Sequence, residues 1–205
     1  MNYRKELAIG LSCLLLSFLC FMAQARASQE EQAAAIAPDI LRFRVLANSD
    51  SRADQALKLE VRDVILQYMQ TLPASDKETF CEILTLHLAE IEQLANQYIA
   101  AAGYSYQANA SLVNCHFPPK TYGDHLFPEG NYDALRITIG RGQGRNWWCV
   151  LYPQLCFTDA ACTTITEESD KSLKETLDQN RFLLLEDKRP EIRFLLLESI
   201  KQSQK

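Results

Sequence analysis

Apolar and polar positions change their spacing several times along this chain, and each spacing predicts an element. Leu41, Phe43, Val45 and Ala47 alternate with Arg42, Arg44 and Leu46, the period-two pattern of a strand with one apolar face. Asn48-Ser49-Asp50 interrupts it. Ser49 or Asp50 is suited to cap a following helix, because a side-chain oxygen accepts an otherwise unpaired N–H of the first turn. In that helix Ala53, Leu57, Val61, Val64, Ile65, Tyr68 and Leu72 form a stripe at helical spacing, with Asp54, Lys58, Arg62 and Asp63 on the opposite face. Pro73 ends it. A second helix is expected after Ser75, with Ile83, Leu84, Leu86, Ile91, Leu94 and Ile99 as its apolar positions and Gly103 as its stop.

Strand-like alternation returns between Tyr104 and Phe117 and breaks at Pro118-Pro119. Another strand is predicted from Tyr132 to Ile139, with Leu135, Ile137 and Ile139 on one face. Gly140-Arg141-Gly142-Gln143-Gly144 reads as the turn into a partner strand over Asn146–Tyr152. The expected fold is therefore α+β: a mostly antiparallel sheet with two helices packed on one face. Residues 28–40 read as a linker, 41–157 as the domain, and 158–205 as a polar linker and tail. That tail contains an echo, Arg181–Glu186 repeated at Arg193–Glu198. Two copies fall short of the roughly three units a solenoid needs.

The first 27 residues have a different character. Arg4 and Lys5 form a basic head, Leu7 to Met22 carries no charge, and Ala25-Arg26-Ala27 offers small residues at a signal-peptidase spacing. The uncharged run is shorter than the roughly 20 residues of a comfortable membrane helix. The segment is read as a secretion signal cleaved after Ala27, with an uncleaved N-terminal anchor as the alternative. The formal net charge is −5, and loss of the basic head makes the remainder more acidic. Such a chain repels phosphate backbones, so nucleic acid is not an expected partner. Cys81, Cys115, Cys149, Cys156 and Cys162 follow the signal, an odd set without zinc-type C-x-x-C spacing.

Little in the pattern suggests a catalytic centre. Gly140, Gly142 and Gly144 precede an extended segment, whereas a dinucleotide fingerprint opens a helix. Asp50 has the simpler role of a cap, and Asp54 and Asp63 are spaced like a solvated helix face. A Cys/His hydrolase acting on envelope material, using Cys149 with His116 or His125, is the alternative function. No metal or small-molecule cofactor is expected. Trp147 and Trp148 are more informative, because adjacent strand residues face opposite ways. One of them, near Tyr152 and Pro153, can stand outward as a protein-binding anchor.

Four blocks carry a resemblance: Phe43–Asp50, Asp54–Asp63, Phe127–Tyr132 and Gly140–Phe157, the last containing Asn-Trp-Trp-Cys and Leu-Cys-Phe. Together they resemble stage II sporulation protein R of spore-forming bacteria, over about Leu41 to Phe157. The resemblance implies a non-enzymatic signal, exported from the forespore into the space before the mother cell. There it would activate a membrane-embedded aspartic protease that matures the mother-cell sigma factor precursor, pro-sigma-E. Carried onto this chain, the partner-binding candidates are Asn48, Ser49, Asp50, Asp54, Gln55, Lys58, Arg62, Asn146, Trp147, Trp148 and Pro153. Cys149 and Cys156 bracket the turn at Pro153, and a disulfide between them is expected if their Cα atoms lie within about 7 Å.

Overall fold

A computed structural model describes residues 3–73, 75–156 and 166–185. Its first element is a long helix, α1 (Tyr3–Ile36), followed by a 3₁₀ turn at Ala37–Asp39. Then come β1 (Leu41–Leu46), α2 (Arg52–Met69), α3 (Lys77–Ala101) and β2 (Ala108–Phe117). The short strands β3 (Lys120–Tyr122) and β4 (His125–Phe127) precede β5 (Gly130–Ile139) and β6 (Asn146–Tyr152). Two helices close the described chain, α4 (Glu167–Thr176) and α5 (Gln179–Leu183).

The α+β class holds. The main sheet has the order β2-β5-β1-β6 and is mixed: β2–β5 and β1–β6 are antiparallel, whereas the central pair β1–β5 is parallel. This corrects one expected pairing. β6 is not the hairpin partner of β5, because β1 lies between them and the Gly140–Arg145 segment crosses over the end of β1. Local alternation identified both strands, but pairing is decided by contacts between residues about ninety positions apart.

The helices form where the apolar stripes predicted them. Ser51, rather than Ser49 or Asp50, caps α2: its Oγ accepts the Asp54 N–H at 3.1 Å. Asp76 caps α3 through the Thr79 N–H at 2.7 Å, and Gly103 follows the helix with φ +84°, a conformation that costs Gly nothing. Leu57, Val61, Ile65 and Met69 of α2 join Phe80, Leu84, Ile91, Ala95 and Ile99 of α3 in the core. Leu86, expected on that stripe, is 83% exposed.

Both helices lie against the sheet face carrying Phe43, Val45, Leu135 and Ile137. Arg62 of α2 covers Trp147 on this face, and Asn96 of α3 exchanges hydrogen bonds with the Ala108 backbone at its edge. The opposite face is not the solvated one that alternation suggests. Arg42, Tyr132, Ala134 and Val150 are fully buried there, because the β3–β4 ribbon and the α4–α5 arm add a third layer. Arg42 stacks its guanidinium against Phe117, Phe127 and Tyr132 at 4.5, 5.6 and 5.1 Å, and its Nε donates to the Cys149 carbonyl at 3.0 Å. Cation–π contact therefore takes over much of the role of the lost hydration.

The flanking segments also depart from the linker readings. Residues 28–36 are helical, and Ala33, Ile36 and Ile40 are buried in the core. Ala33 packs so closely on Gly130 that a Cβ there would collide with it. In the tail, 166–185 docks Leu173, Leu177 and Leu185 into the core. The second copy of the echo, Arg193–Glu198, lies outside the described residues, as does Cys162.

Candidate functional site

The candidates divide into two clusters. The first occupies the rim where β1 ends and α2 begins. Asp54 lies at its centre and is 7% exposed. Its carboxylate accepts hydrogen bonds from the Ser49 hydroxyl, the Tyr106 hydroxyl and Asn48 Nδ2, the last at 3.0 Å. These bonds, with Ser49 foremost, lower its pKa from 3.8 to about 2. Tyr106, from the segment between α3 and β2, is pushed up by burial and by the same carboxylate.

The glycine segment closes this rim. Arg141 N donates to Asn48 Oδ1 at 3.0 Å, and Arg145 N donates to Asp50 Oδ1 at 2.6 Å. Gln143 N and Gly144 N reach the carbonyls of Asn48 and Ala47 at 3.2 and 2.9 Å. Gly144 is required by this approach, since a Cβ would strike the Ser49 carbonyl. Lys58 Nζ donates to Gln55 Oε1 at 2.7 Å and to the Arg145 carbonyl at 3.1 Å. Burial, then the nearby Arg145 and Arg62 charges, lower its pKa. The glycines thus form a crossover that locks the loop after β1, and the hairpin reading of them is corrected.

The second cluster is the aromatic block. Trp147 and Trp148 point to opposite faces and both are half-buried. Trp147 packs edge-on to Phe43, with ring centroids 5.6 Å apart, and lies under Arg62 at 4.9 Å. Trp148 meets Phe117 at 4.8 Å and carries the Arg44 guanidinium at 4.4 Å. Asn146 Oδ1 accepts from Arg44 Nε and Nη2, each at 3.3 Å. A disulfide links Cys149 to Cys156, with Cα atoms 5.7 Å apart, across the turn containing the cis Tyr152–Pro153 bond.

Asp54, Lys58, Arg62 and Pro153 are buried, and Asp54 and Lys58 act as internal ties instead of a solvated face. Asp50 is exposed, and Asn48, Ser49, Gln55, Asn146, Trp147 and Trp148 are partly so. The residues proposed for a hydrolase have other roles: Cys149 is in the disulfide, His116 Nε2 meets Glu129 at 3.0 Å, and His125 Nε2 meets Asp170 at 2.8 Å. Among the described residues no group of three or more His, Cys, Asp or Glu side chains is arranged to hold a metal ion. The sequence reading missed Tyr106, Arg42 and the α4–α5 arm. Only the alternation through Tyr104 and Tyr106 hinted at the first.

Fold and site together define an α+β domain, a four-stranded mixed sheet with a small two-stranded sheet, behind an apolar N-terminal helix, the end of the main sheet locked by crossing polar loops. The family model described as Stage II sporulation protein R (spore_II_R) matches residues 37–162, and the chain belongs to that family. It is 34% identical over 177 residues to Stage II sporulation protein R of Bacillus subtilis (strain 168), covering 83% of this chain and 79% of that protein. No solved structure matches the chain.

Proposed function

We propose that this chain is an exported sporulation signal that activates a membrane-embedded aspartic protease, which then matures pro-sigma-E. It acts in the space between forespore and mother cell, and it does so by presenting a surface, without chemistry of its own. The observation that carries the reading is an architectural one, joined to family membership. A solvent-exposed apolar helix, long enough to cross a membrane, leads directly into a domain whose accessible candidates are polar loops and half-buried tryptophans. Such aromatics supply large contact area at protein interfaces.

Co-expression of the full chain with the protease and its precursor substrate tests the reading. Processing is expected only when the chain is present, and no effect of its omission overturns the proposal. Trp147→Ala and Trp148→Ala test the contact itself. At least one is expected to reduce processing tenfold or more while the protein is still exported. Normal processing by both folded, exported variants removes the tryptophan-bearing faces from the contact.

A further inference from the structure

The outer sheet face, away from α2 and α3, is covered over only part of its length. Where β3–β4 and the arm lie on it, Arg42, Ala134 and Val150 are sealed. One row further along, Ser111, Arg136, Arg44 and Trp148 stand side by side on β2, β5, β1 and β6, and all four are half-buried. Arg44 and Arg136 are register partners on adjacent parallel strands, which brings two guanidinium side chains onto neighbouring positions about 4.8 Å apart along the sheet. Like charges placed opposite each other destabilise a sheet. Neither has an acidic partner among the described residues.

The polar groups of this row are also incompletely used. Arg136 Nε and its cross-strand partner Ser111 Oγ are sealed from solvent, and neither has a hydrogen-bond partner. Arg44 is held in place by Trp148 beneath it and by two long bonds to Asn146 Oδ1. The nearby acid, Glu92, is engaged at the β2 edge by Asn109 Nδ2 and the Ala110 N–H, both at 2.9 Å. A buried polar group without a partner is costly in a finished fold. Two guanidinium ions without an acidic partner, one of them with its Nε unsatisfied, make a cradle for an anion.

We propose that this row is a docking site for an acidic peptide segment of a protein partner, whose Asp or Glu carboxylate inserts between Arg44 and Arg136. This rests on the protease-activation reading and names the chemistry that its partner must present. A guanidinium fork matches a planar carboxylate through paired N–H···O bonds. Trp148, Leu46 and Val113 on the same face supply apolar contact for the neighbouring peptide atoms. The chain's net charge of −5 disfavours a broad anionic surface such as a membrane. A local arginine pair, screened beyond about 8 Å at physiological salt, still reads a single carboxylate.

The test uses the full chain in neutral detergent micelles, titrated with a ten-residue oligoglutamate peptide and followed by tryptophan fluorescence. Oligoglutamate is expected to bind in a salt-sensitive manner, and the Arg44→Gln/Arg136→Gln double variant to bind at least tenfold more weakly with a melting temperature no lower than that of the wild type. Arg44→Lys/Arg136→Lys keeps the charge and loses the fork, and severalfold weakening is expected. Equal binding by wild type and the Gln variant overturns the site. So does tighter arginine-dependent binding of inorganic phosphate or of micelles doped with phosphatidylglycerol, or a dimer of the chain that the Gln variant dissociates. The same variants enter the co-expression assay. Undiminished processing by the Gln variant leaves the signalling reading intact and removes this site from it. Arginine-dependent oligoglutamate binding by a chain that triggers no processing keeps the site and overturns the signalling reading.

Discussion

Asp54, in the first turn of α2, ties the adjoining loop after β1 to the Tyr106 segment, which is distant in sequence. Because its folded pKa is about 2, below the ordinary 3.8, the unfolded chain takes up a proton before the folded one as pH falls. The resulting stabilisation is complete above about pH 5, declines through the window between 3.8 and 2, and is absent below it. A depression of this size corresponds to roughly 2 kcal/mol. Asp54→Asn is expected to lower stability by about that amount at neutral pH and to flatten the acid limb, as measured by urea unfolding at a series of pH values. An unchanged acid limb in the variant would show that the carboxylate is not the titrating tie. Arg42 has the opposite character, a buried charge met by three rings and one carbonyl, and nothing in the sequence around it distinguished it from its half-exposed neighbour Arg44.

Among the elements, the α4–α5 arm changes the picture most. Thr166 caps α4, with its Oγ accepting the Ser169 N–H at 3.2 Å. Leu173, Leu177 and Leu185 then anchor the arm on the core, while His125–Asp170 and Arg181–Asp39 fasten its polar side. Polar composition concealed this, since three leucines among many charges make a stripe only when wound into helices. Leu173 is fully buried, so Leu173→Ala is expected to cost about 2–5 kcal/mol and to release the arm. Limited proteolysis should then cut within 166–185 well before α2 or α3. Cleavage at the wild-type rate would mean that the arm is not held by this leucine. The elements called correctly, α2, α3 and β6 among them, are those whose apolar period is set by residues within a few turns of one another.

At the scale of the whole molecule, α1 has two parts of different character. Its first part is exposed and apolar, consistent with a signal sequence, whereas Ala33 and Ile36 belong to the folded core. On the proposed export, cleavage after Ala27 would remove the first part and leave the second. Mass spectrometry of the exported protein is expected to find a product beginning at Ser28. Further deletion of 28–36 is expected to lower its melting temperature, since it strips the cover from Gly130 and the start of β5. An exported protein that retains Met1–Ala27 would instead establish the anchor reading. A melting temperature unaffected by the deletion would remove Ala33 and Ile36 from the stability of the domain.

The sequence by itself determined the apolar N-terminal segment, helices α2 and α3, the four strands of the main sheet, the α+β class and the opposed orientation of Trp147 and Trp148. Each follows from the chemistry of near neighbours: a run without charge, a 3.6-residue stripe, or strand alternation. The family resemblance was legible for a related reason, in short contiguous blocks. Only the tertiary structure decided that β1 separates β5 from β6, that Asp54 and Lys58 face inward, and that Arg44 and Arg136 share one row with Ser111 and Trp148. These arrangements depend on which distant segments meet, and local spacing carries no information about such meetings. The physical reason is that burial and pairing are properties of the assembled sheet, where a residue's neighbours across the strand matter more than those along it.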